Sequence, residues 1–254
     1  MNVFLTGASS GIGAALAQAY AARGATLGLV ARRQPLLDEL RARLPGTHHS
    51  YAVDVTDKDA LIAAARDFEA ATGGADLVIA NAGISIGVLT EHYEDLAVFE
   101  QVFATNVLAL AYSFHPFIAP MRARGRGQLV GIGSVAGIRG LPGSEAYCAS
   151  KSAVITYCES LRVELARHGV QVQTICPGFV RTPLTARNRY AMPFLLDADE
   201  FARRALRAIE AGRSYATVPW QMGVVAKLLR LLPNPVFDRL FANRAYKPRT
   251  PELG

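Results

Sequence analysis

The chain has 254 residues, is 51% hydrophobic and carries a net charge of +6 with a pI of about 9.4, which suits one globular domain over residues 1–254. The positive charge is nearly all arginine and is scattered; the one short run, Arg122-Ala123-Arg124-Gly125-Arg126, reads as a solvated turn. Cys148, Cys158 and Cys176 lack metal-ligand spacing, no arginine- and aromatic-rich module is present and no apolar run reaches about 18 residues, which argues against a metal site, a disulfide framework, nucleic-acid binding and a spanning helix.

Asn2-Val3-Phe4-Leu5 is short and apolar, the pattern of a buried parallel strand. Thr6-Gly7-Ala8-Ser9-Ser10-Gly11-Ile12-Gly13 follows at once, then a helix over 14–23 stopped by Gly24. Strand, glycine-rich turn and helix make a phosphate site. The glycines let the backbone turn tightly and approach a pyrophosphate, and the helix start offers free N–H groups at its positive end. The spacing is G-x-x-x-G-x-G rather than G-x-G-x-x-G. Taken alone, it equally describes an ordinary strand-to-helix turn.

Residues 26–31 form a second strand, ending Ala31-Arg32-Arg33 where an NAD-binding fold often carries an acid. An acid would repel a 2′-phosphate, whereas a guanidinium grips it through paired hydrogen bonds, so Arg32 and Arg33 point to NADP(H); the other reading is that both merely solvate a loop. A helix over 35–44 starts at Pro35. A third strand, 48–53, leads to Asp54-Val55-Thr56-Asp57, where Thr56 or Asp57 can cap a helix over 58–71. His48 and His49 are too isolated to be metal ligands. The fourth strand, 77–80, ends in Asn81-Ala82-Gly83. This steady alternation marks a doubly wound α/β sheet.

A long apolar helix covers 95–119, with Asn106 in its middle and Pro116 expected to bend or shorten its last turns. A mid-helix Asn costs stability and needs an explanation. A fifth strand spans 128–133, with Ser134 at the carboxyl edge where open α/β sheets bind ligands. Ser144 can cap a helix over 145–167. Strand 170–176, ended by Pro177-Gly178, then helix 199–211 and strand 215–218 complete the pattern.

Tyr147 and Lys151 are four residues apart and share a helix face. A nearby ammonium favours phenolate and should bring the phenol pKa down from about 10. Ser134 supplies a hydroxyl for a carbonyl oxygen. By themselves these residues also fit a partly buried Tyr beside a solvated Lys.

Together with Asn81-Ala82-Gly83, Asn106, Tyr147-Cys148-Ala149-Ser150-Lys151 and Pro177-Gly178, the glycine turn makes residues 1 to about 218 resemble the short-chain dehydrogenase/reductase family. The resemblance implies a Rossmann-type, doubly wound, seven-stranded parallel sheet with helices on both faces, followed here by a C-terminal helical extension. It implies catalysis by Ser134, Tyr147 and Lys151. Tyr147 would be the general acid in reduction and base in oxidation, and Lys151 would lower its pKa and hold the nicotinamide ribose. Ser134 would orient the substrate oxygen, and Asn106 would position a water joining Lys151 to solvent. It implies cofactor contacts at Gly7, Ser9, Ser10, Gly11, Ile12, Gly13, Asp54, Val55, Asn81, Ala82, Gly83, Tyr147, Lys151, Pro177, Gly178 and Thr182, alongside Arg32 and Arg33. Ala80 stands where the family usually has a first Asn. Cys148, Ser150 and Ser152 receive no chemical role.

Residues 183–198, with Tyr190, Met192, Phe194, Leu195 and Leu196, correspond to the family's mobile lid, and Leu141, Gly143 and Ser144 are expected on the near side of the pocket. An apolar lid suggests an apolar carbonyl compound or alcohol; those side chains equally suit core packing. The function expected is an NADP(H)-dependent carbonyl–alcohol oxidoreductase. The alternatives are a reductase of long-chain 3-keto lipids and a non-catalytic NADP(H)-binding sensor or scaffold.

The extension, 219–254, is amphipathic. A helix over 220–232 at about 100° per residue places Trp220, Leu231, Val224, Leu228, Leu232, Val225, Leu229 and Met222 on an arc of about 200°, with Lys227 and Arg230 opposite. At about 20 Å it is too short to cross a bilayer. Its apolar face has three possible homes: the substrate lid, a second subunit of a homodimer or homotetramer, or a membrane surface. The cysteine usage and an opening that is core strand rather than signal peptide suggest a cytoplasmic protein, with peripheral membrane contact through this helix as the other possibility.

Overall fold

The structure, a computed structural model, describes residues 1–186, 188, 190–243 and 246–249. Arg187 and Arg189 of the expected lid, and 244–245 and 250–254 of the extension, lie outside the described residues.

Seven strands form one parallel sheet: β1 (Asn2–Thr6), β2 (Thr26–Ala31), β3 (His49–Ala52), β4 (Leu77–Ala80), β5 (Gly127–Ile132), β6 (Val170–Pro177) and, last in the chain, β9 (Tyr215–Val218). Their spatial order is β3-β2-β1-β4-β5-β6-β9, so the winding reverses between β1 and β4. Two short strands, β7 (Val180–Arg181) and β8 (Leu196–Asp197), pair separately and tie the end of the 183–198 segment back to the body.

Period-two alternation divides the core between the two sheet faces. Val3 and Leu5 point to one face, against α1 (Gly11–Ala21), α2 (Gln34–Arg43) and α7 (Ala198–Glu210). Phe4 points to the other, among Phe68 of α3 (Lys58–Thr72), Phe117 of α5 (Ala109–Arg124) and Val154 of α6 (Glu145–Ala166). Asp57 caps α3, accepting from Ala60 N at 3.0 Å.

Two local expectations are corrected. Pro116 neither ends nor shortens its helix, because α5 continues through Pro116 and Pro120 to Arg124. Phe114, Phe117 and Met121 are wholly buried along it. Roughly 1.5–3 kcal/mol for each outweighs the roughly 3 kcal/mol a helical proline costs. Ser144 precedes α6, but its side chain makes no capping hydrogen bond; Glu145 supplies the acid in the first turn. After Pro233 the chain forms a further helix, α9 (Asn234–Phe241), with Pro235 in its first turn, where a missing N–H costs nothing.

The stretch from α4 (Asp95–Phe103) to α5 is one helical tract broken by a π-turn over Ala104–Leu108. Among the described residues it is the helix long and apolar enough to cross a membrane, with a mean hydropathy of 1.4 over 18 residues. The sequence shows no such run because Thr105, Asn106 and Ser113 interrupt the apolar residues without lowering the mean far. Its buried side, from Val102 to Met121, packs into the protein core.

Candidate active site

Strand ends and turns build the site where the sheet reverses, the position at which open α/β sheets bind ligands. β1 passes through the glycine turn into α1. The helix start has no side-chain cap and no acid in its first turn, leaving its N–H groups for an anion. Gly13 is required by close approach, because a Cβ there would collide with Gly7 O. Asn81 locks this turn to the end of β4: its Nδ2 donates to Thr6 O at 3.0 Å and Gly7 O at 3.2 Å, and its backbone N–H donates to Thr6 Oγ1 at 3.1 Å.

The cofactor residues expected from the sequence line one cleft of about 580 Å³. Gly7, Ser9, Ser10, Gly11, Ile12 and Gly13 form its floor; Arg32, Arg33, Asp54 and Val55 form one end. Asn81, Ala82, Gly83, Tyr147, Lys151, Pro177, Gly178 and Thr182 close the other. Thr182 sits against Gly11, whose added Cβ would lie 3.0 Å from Thr182 Cγ2. Arg32 is exposed and only loosely paired, at 4.0 Å from Asp54. The uncapped helix start and the glycine floor fit the phosphates of a dinucleotide.

Asn106 does not line the cleft; it lies behind it, buried, at the centre of the π-turn. Such turns frequently mark functional sites. Its Oδ1 accepts from Ile84 N at 2.8 Å, and its Nδ2 donates to Ile84 O at 3.0 Å and to Ser150 Oγ at 2.9 Å. Ser150 Oγ in turn donates to Tyr147 O at 2.8 Å. Ser150, given no role from the sequence, is thus the link between Asn106 and α6. A Cβ on Gly83 would lie 3.2 Å from Asn106 Oδ1 and 3.4 Å from Lys151 Nζ, which brings the two side chains to one turn.

Ser134, Tyr147 and Lys151 converge as their spacing suggests, but their electrostatics differ from the expectation. Burial pushes the Tyr147 phenol up to about 12, against the lowering effect of a hydrogen bond with Ser134. Lys151 does not offset this. Its ammonium donates to Ile132 O at 2.8 Å, stands 6.0 Å from the Tyr147 ring centroid and is pushed by its own burial down to about 8. Desolvation acts on both groups and favours both neutral forms. The three cysteines are buried; burial holds Cys158 up at about 12 and Cys176 at about 11, so neither of these two is a thiolate nucleophile.

A second cavity, of about 440 Å³, opens from the same centre and shares Ser134 and Tyr147 with the cleft. Leu141, Ser144, Leu184 and Tyr190 line it as expected; Gly143 is instead packed against Tyr246. Of the lid's other apolar residues, Leu196 packs on the core and Phe194 is half exposed. The far wall is α8 (Trp220–Leu231), which presents Met222, Val225, Ala226 and Leu229. Arg139 pins this helix by donating to Leu232 O at 2.7 Å and stacking 3.9 Å from the Phe237 ring. The other half of the apolar arc faces outward: Trp220 is 68% exposed and Leu231 79%. Ser85 and Lys247 also reach the seam of the two cavities; no local pattern in the sequence marks either.

Comparison with known proteins agrees with this architecture. The family model described as short chain dehydrogenase matches residues 1–192. The chain is similar to an uncharacterized oxidoreductase of Myxococcus xanthus, 40% identical over 93% of this chain and 94% of that protein. It is also similar to the ketoacyl reductase HetN of Nostoc, 34% identical over 76% of this chain and 69% of that protein. Among solved structures, a short-chain dehydrogenase from Streptomyces avermitilis superposes with a TM-score of 0.76 at 27% identity, covering 89% of this chain and 94% of that one.

Proposed function

The chain belongs to the short-chain dehydrogenase family and is an oxidoreductase; from that premise we propose that it interconverts a carbonyl and an alcohol with NADP(H), on an apolar substrate. The observation that carries this reading is the meeting of Ser134 and Tyr147 at the seam between a dinucleotide-shaped cleft and an apolar cavity. Bound NADP(H) supplies or removes the hydride. The chain's own residues handle orientation and the proton. Ser134 holds the substrate oxygen, and Tyr147 gives its phenolic proton to that oxygen in reduction or takes it back in oxidation. With its pKa near 12, the phenol is loaded with its proton at neutral pH, which favours the role of acid. Lys151 holds the nicotinamide ribose, and Asn106 orders the water that joins Lys151 to solvent.

A panel of ketones and aldehydes with NADPH tests the proposal. Turnover of at least one class is expected, and a folded, NADPH-binding protein inert to all of them would favour a sensor or scaffold. An intact Ser134, Tyr147 and Lys151 set speaks against that outcome. Long-chain 3-keto compounds belong in the panel, because the similarity to a ketoacyl reductase and the apolar cavity support a 3-keto lipid reductase as the second reading.

The cofactor preference rests on Arg32 and Arg33, which stand at the open end of the cleft with no tight ion pair among the described residues. Charge-assisted hydrogen bonds contribute roughly 1.5–3 kcal/mol, so NADPH should bind about ten- to a hundred-fold tighter than NADH by fluorescence titration, with the gap narrowed in Arg32→Ala. Equal or tighter NADH binding rejects the preference for NADP(H).

A single unit over 1–254, a cytoplasmic location and a homo-oligomer complete the reading. Trp220, Val224, Leu228 and Leu231 form an exposed apolar row on α8 that suits a subunit contact. Leu228→Glu should lower the mass seen by light scattering. An unchanged mass together with loss of binding to anionic vesicles would assign the row to a membrane surface instead.

A further inference from the structure

Lys247 is a buried cation that the roles above leave unused. Its residue is 8% exposed, and it lines both the cofactor cleft and the substrate cavity. Among the described residues its ammonium makes one hydrogen bond, to Ser85 Oγ at 2.7 Å, and no carboxylate forms an ion pair with it. It stands 5.9 Å from the centroid of the Tyr147 ring. An ammonium has three donors, so the described residues leave two of them open toward the cavities. Burial without a counter-charge disfavours the charged form, and the group is pushed down to about 8, which still leaves it mostly protonated at neutral pH.

The chain takes care to hold this cation in place. The segment bearing it, 246–249, is strapped across the mouth of the site. Gly87 N donates to Pro248 O at 3.0 Å, and Gly87 must be glycine because a Cβ there would collide with Lys247 O. Arg249 donates twice to the buried Asp95, from Nε to Oδ2 at 2.8 Å and from Nη2 to Oδ1 at 3.2 Å, and Asp95 Oδ2 also accepts from Leu89 N at 2.8 Å. Tyr246 packs its ring on Gly143. Fixing the strap at both ends of Lys247 would be superfluous if the side chain merely covered a surface.

We propose that Lys247 is a specificity-determining residue whose ammonium binds a carboxylate carried by the substrate close to the reacting carbonyl. The cavity would then take aliphatic oxo acids and the hydroxy acids they form. The carboxylate lies at the Ser85–Lys247 end, and the chain runs along Leu184, Met222, Val225 and Leu229. An anion is the one partner that satisfies both the open donors and the unbalanced charge, while the apolar walls exclude small, fully polar acids. In the reaction the carbonyl carbon gains a hydride, its oxygen gains the Tyr147 proton and NADPH becomes NADP⁺; the carboxylate is unchanged. The assignment rests on the reading of Ser134 and Tyr147 given above.

The test compares 2-oxooctanoate and 3-oxooctanoate with their methyl esters in the wild type, Lys247→Met and Lys247→Arg. At least one acid should exceed its ester in kcat/KM by about ten-fold or more. That ratio should collapse in Lys247→Met and be partly restored in Lys247→Arg. An ester as good as its acid in the wild type overturns the proposal, whatever the variants do. A ratio that survives in Lys247→Met also overturns it. If that survival came with weakened NADPH binding, Lys247 would be assigned to the cofactor. If no carbonyl compound is turned over, the general reading of the reaction fails, and calorimetry decides the anchor separately. Decanoate, but not decanol, should bind the wild type and lose at least ten-fold in affinity in Lys247→Met; no difference between the two ligands overturns the anchor.

Discussion

Tyr147→Phe should slow turnover of a good ketone substrate by roughly 10²–10⁴-fold while leaving the melting temperature and NADPH affinity close to wild type. The substitution removes one hydroxyl and keeps the ring that separates cleft from cavity. The hydroxyl belongs to a side chain that lines both the cleft and the cavity beside Ser134, and burial holds its pKa near 12. Cys158 and Cys176 line neither the cleft nor the cavity, so neither thiol can take its place. Because the phenol is loaded throughout the neutral range, Tyr147 itself should impose no fall in reduction rate as the pH rises from about 6 to 9. Steady-state kinetics of the variant on the best substrate of the panel checks the effect. Retention of most of the wild-type kcat would remove Tyr147 from the chemistry.

Gly13→Ala is the second substitution with a large expected effect, and it acts on fold and cofactor together. A Cβ at this position would collide with Gly7 O and lie 2.7 Å from Asn81 Nδ2. The backbone carbonyl cannot swing aside freely, because Gly7 O accepts from Asn81, which also holds Thr6. Relief requires the glycine turn to open away from α1. Overpacking of this kind costs about 1–3 kcal/mol, or some 2–12 °C in Tm for a chain of this length. The same opening withdraws the helix-start N–H groups from the phosphate position, so NADPH affinity should fall at least about ten-fold. A thermal melt and a dinucleotide titration on one preparation check both halves. A variant with wild-type Tm and affinity would show that the turn tolerates a side chain, contrary to its packing.

How much of this was readable in advance differs from element to element. The strand over Thr26–Ala31 coincides with its expected range because a buried parallel strand needs only a short apolar run with turn residues at each end. The helix over 145–167 was legible from its length and its Tyr147–Lys151 spacing. Helix α9 was not, because it carries Pro235 in its first turn, and a proline can start a helix as well as stop one. The amphipathic tail was visible as a pattern, but one apolar arc served two environments. Met222 and Ala226 turn inward, and Leu228 and Leu231 turn out, a division that periodicity cannot make.

The amino-acid sequence by itself determined the seven strands of the main sheet, the glycine turn after the first of them, and the placing of Ser134 after β5 and of Tyr147 and Lys151 on one helix. Each of these is written in spacings of a few residues, at which backbone geometry alone decides what faces what. Only the tertiary structure decided that Asn106 is held by Ile84 and linked through Ser150 to α6. It alone brought Lys247 beside Tyr147 and showed that burial raises the Tyr147 pKa despite the nearby lysine. Those facts depend on contacts between segments far apart in the chain and on how much water the assembled walls exclude, neither of which exists until the segments have packed.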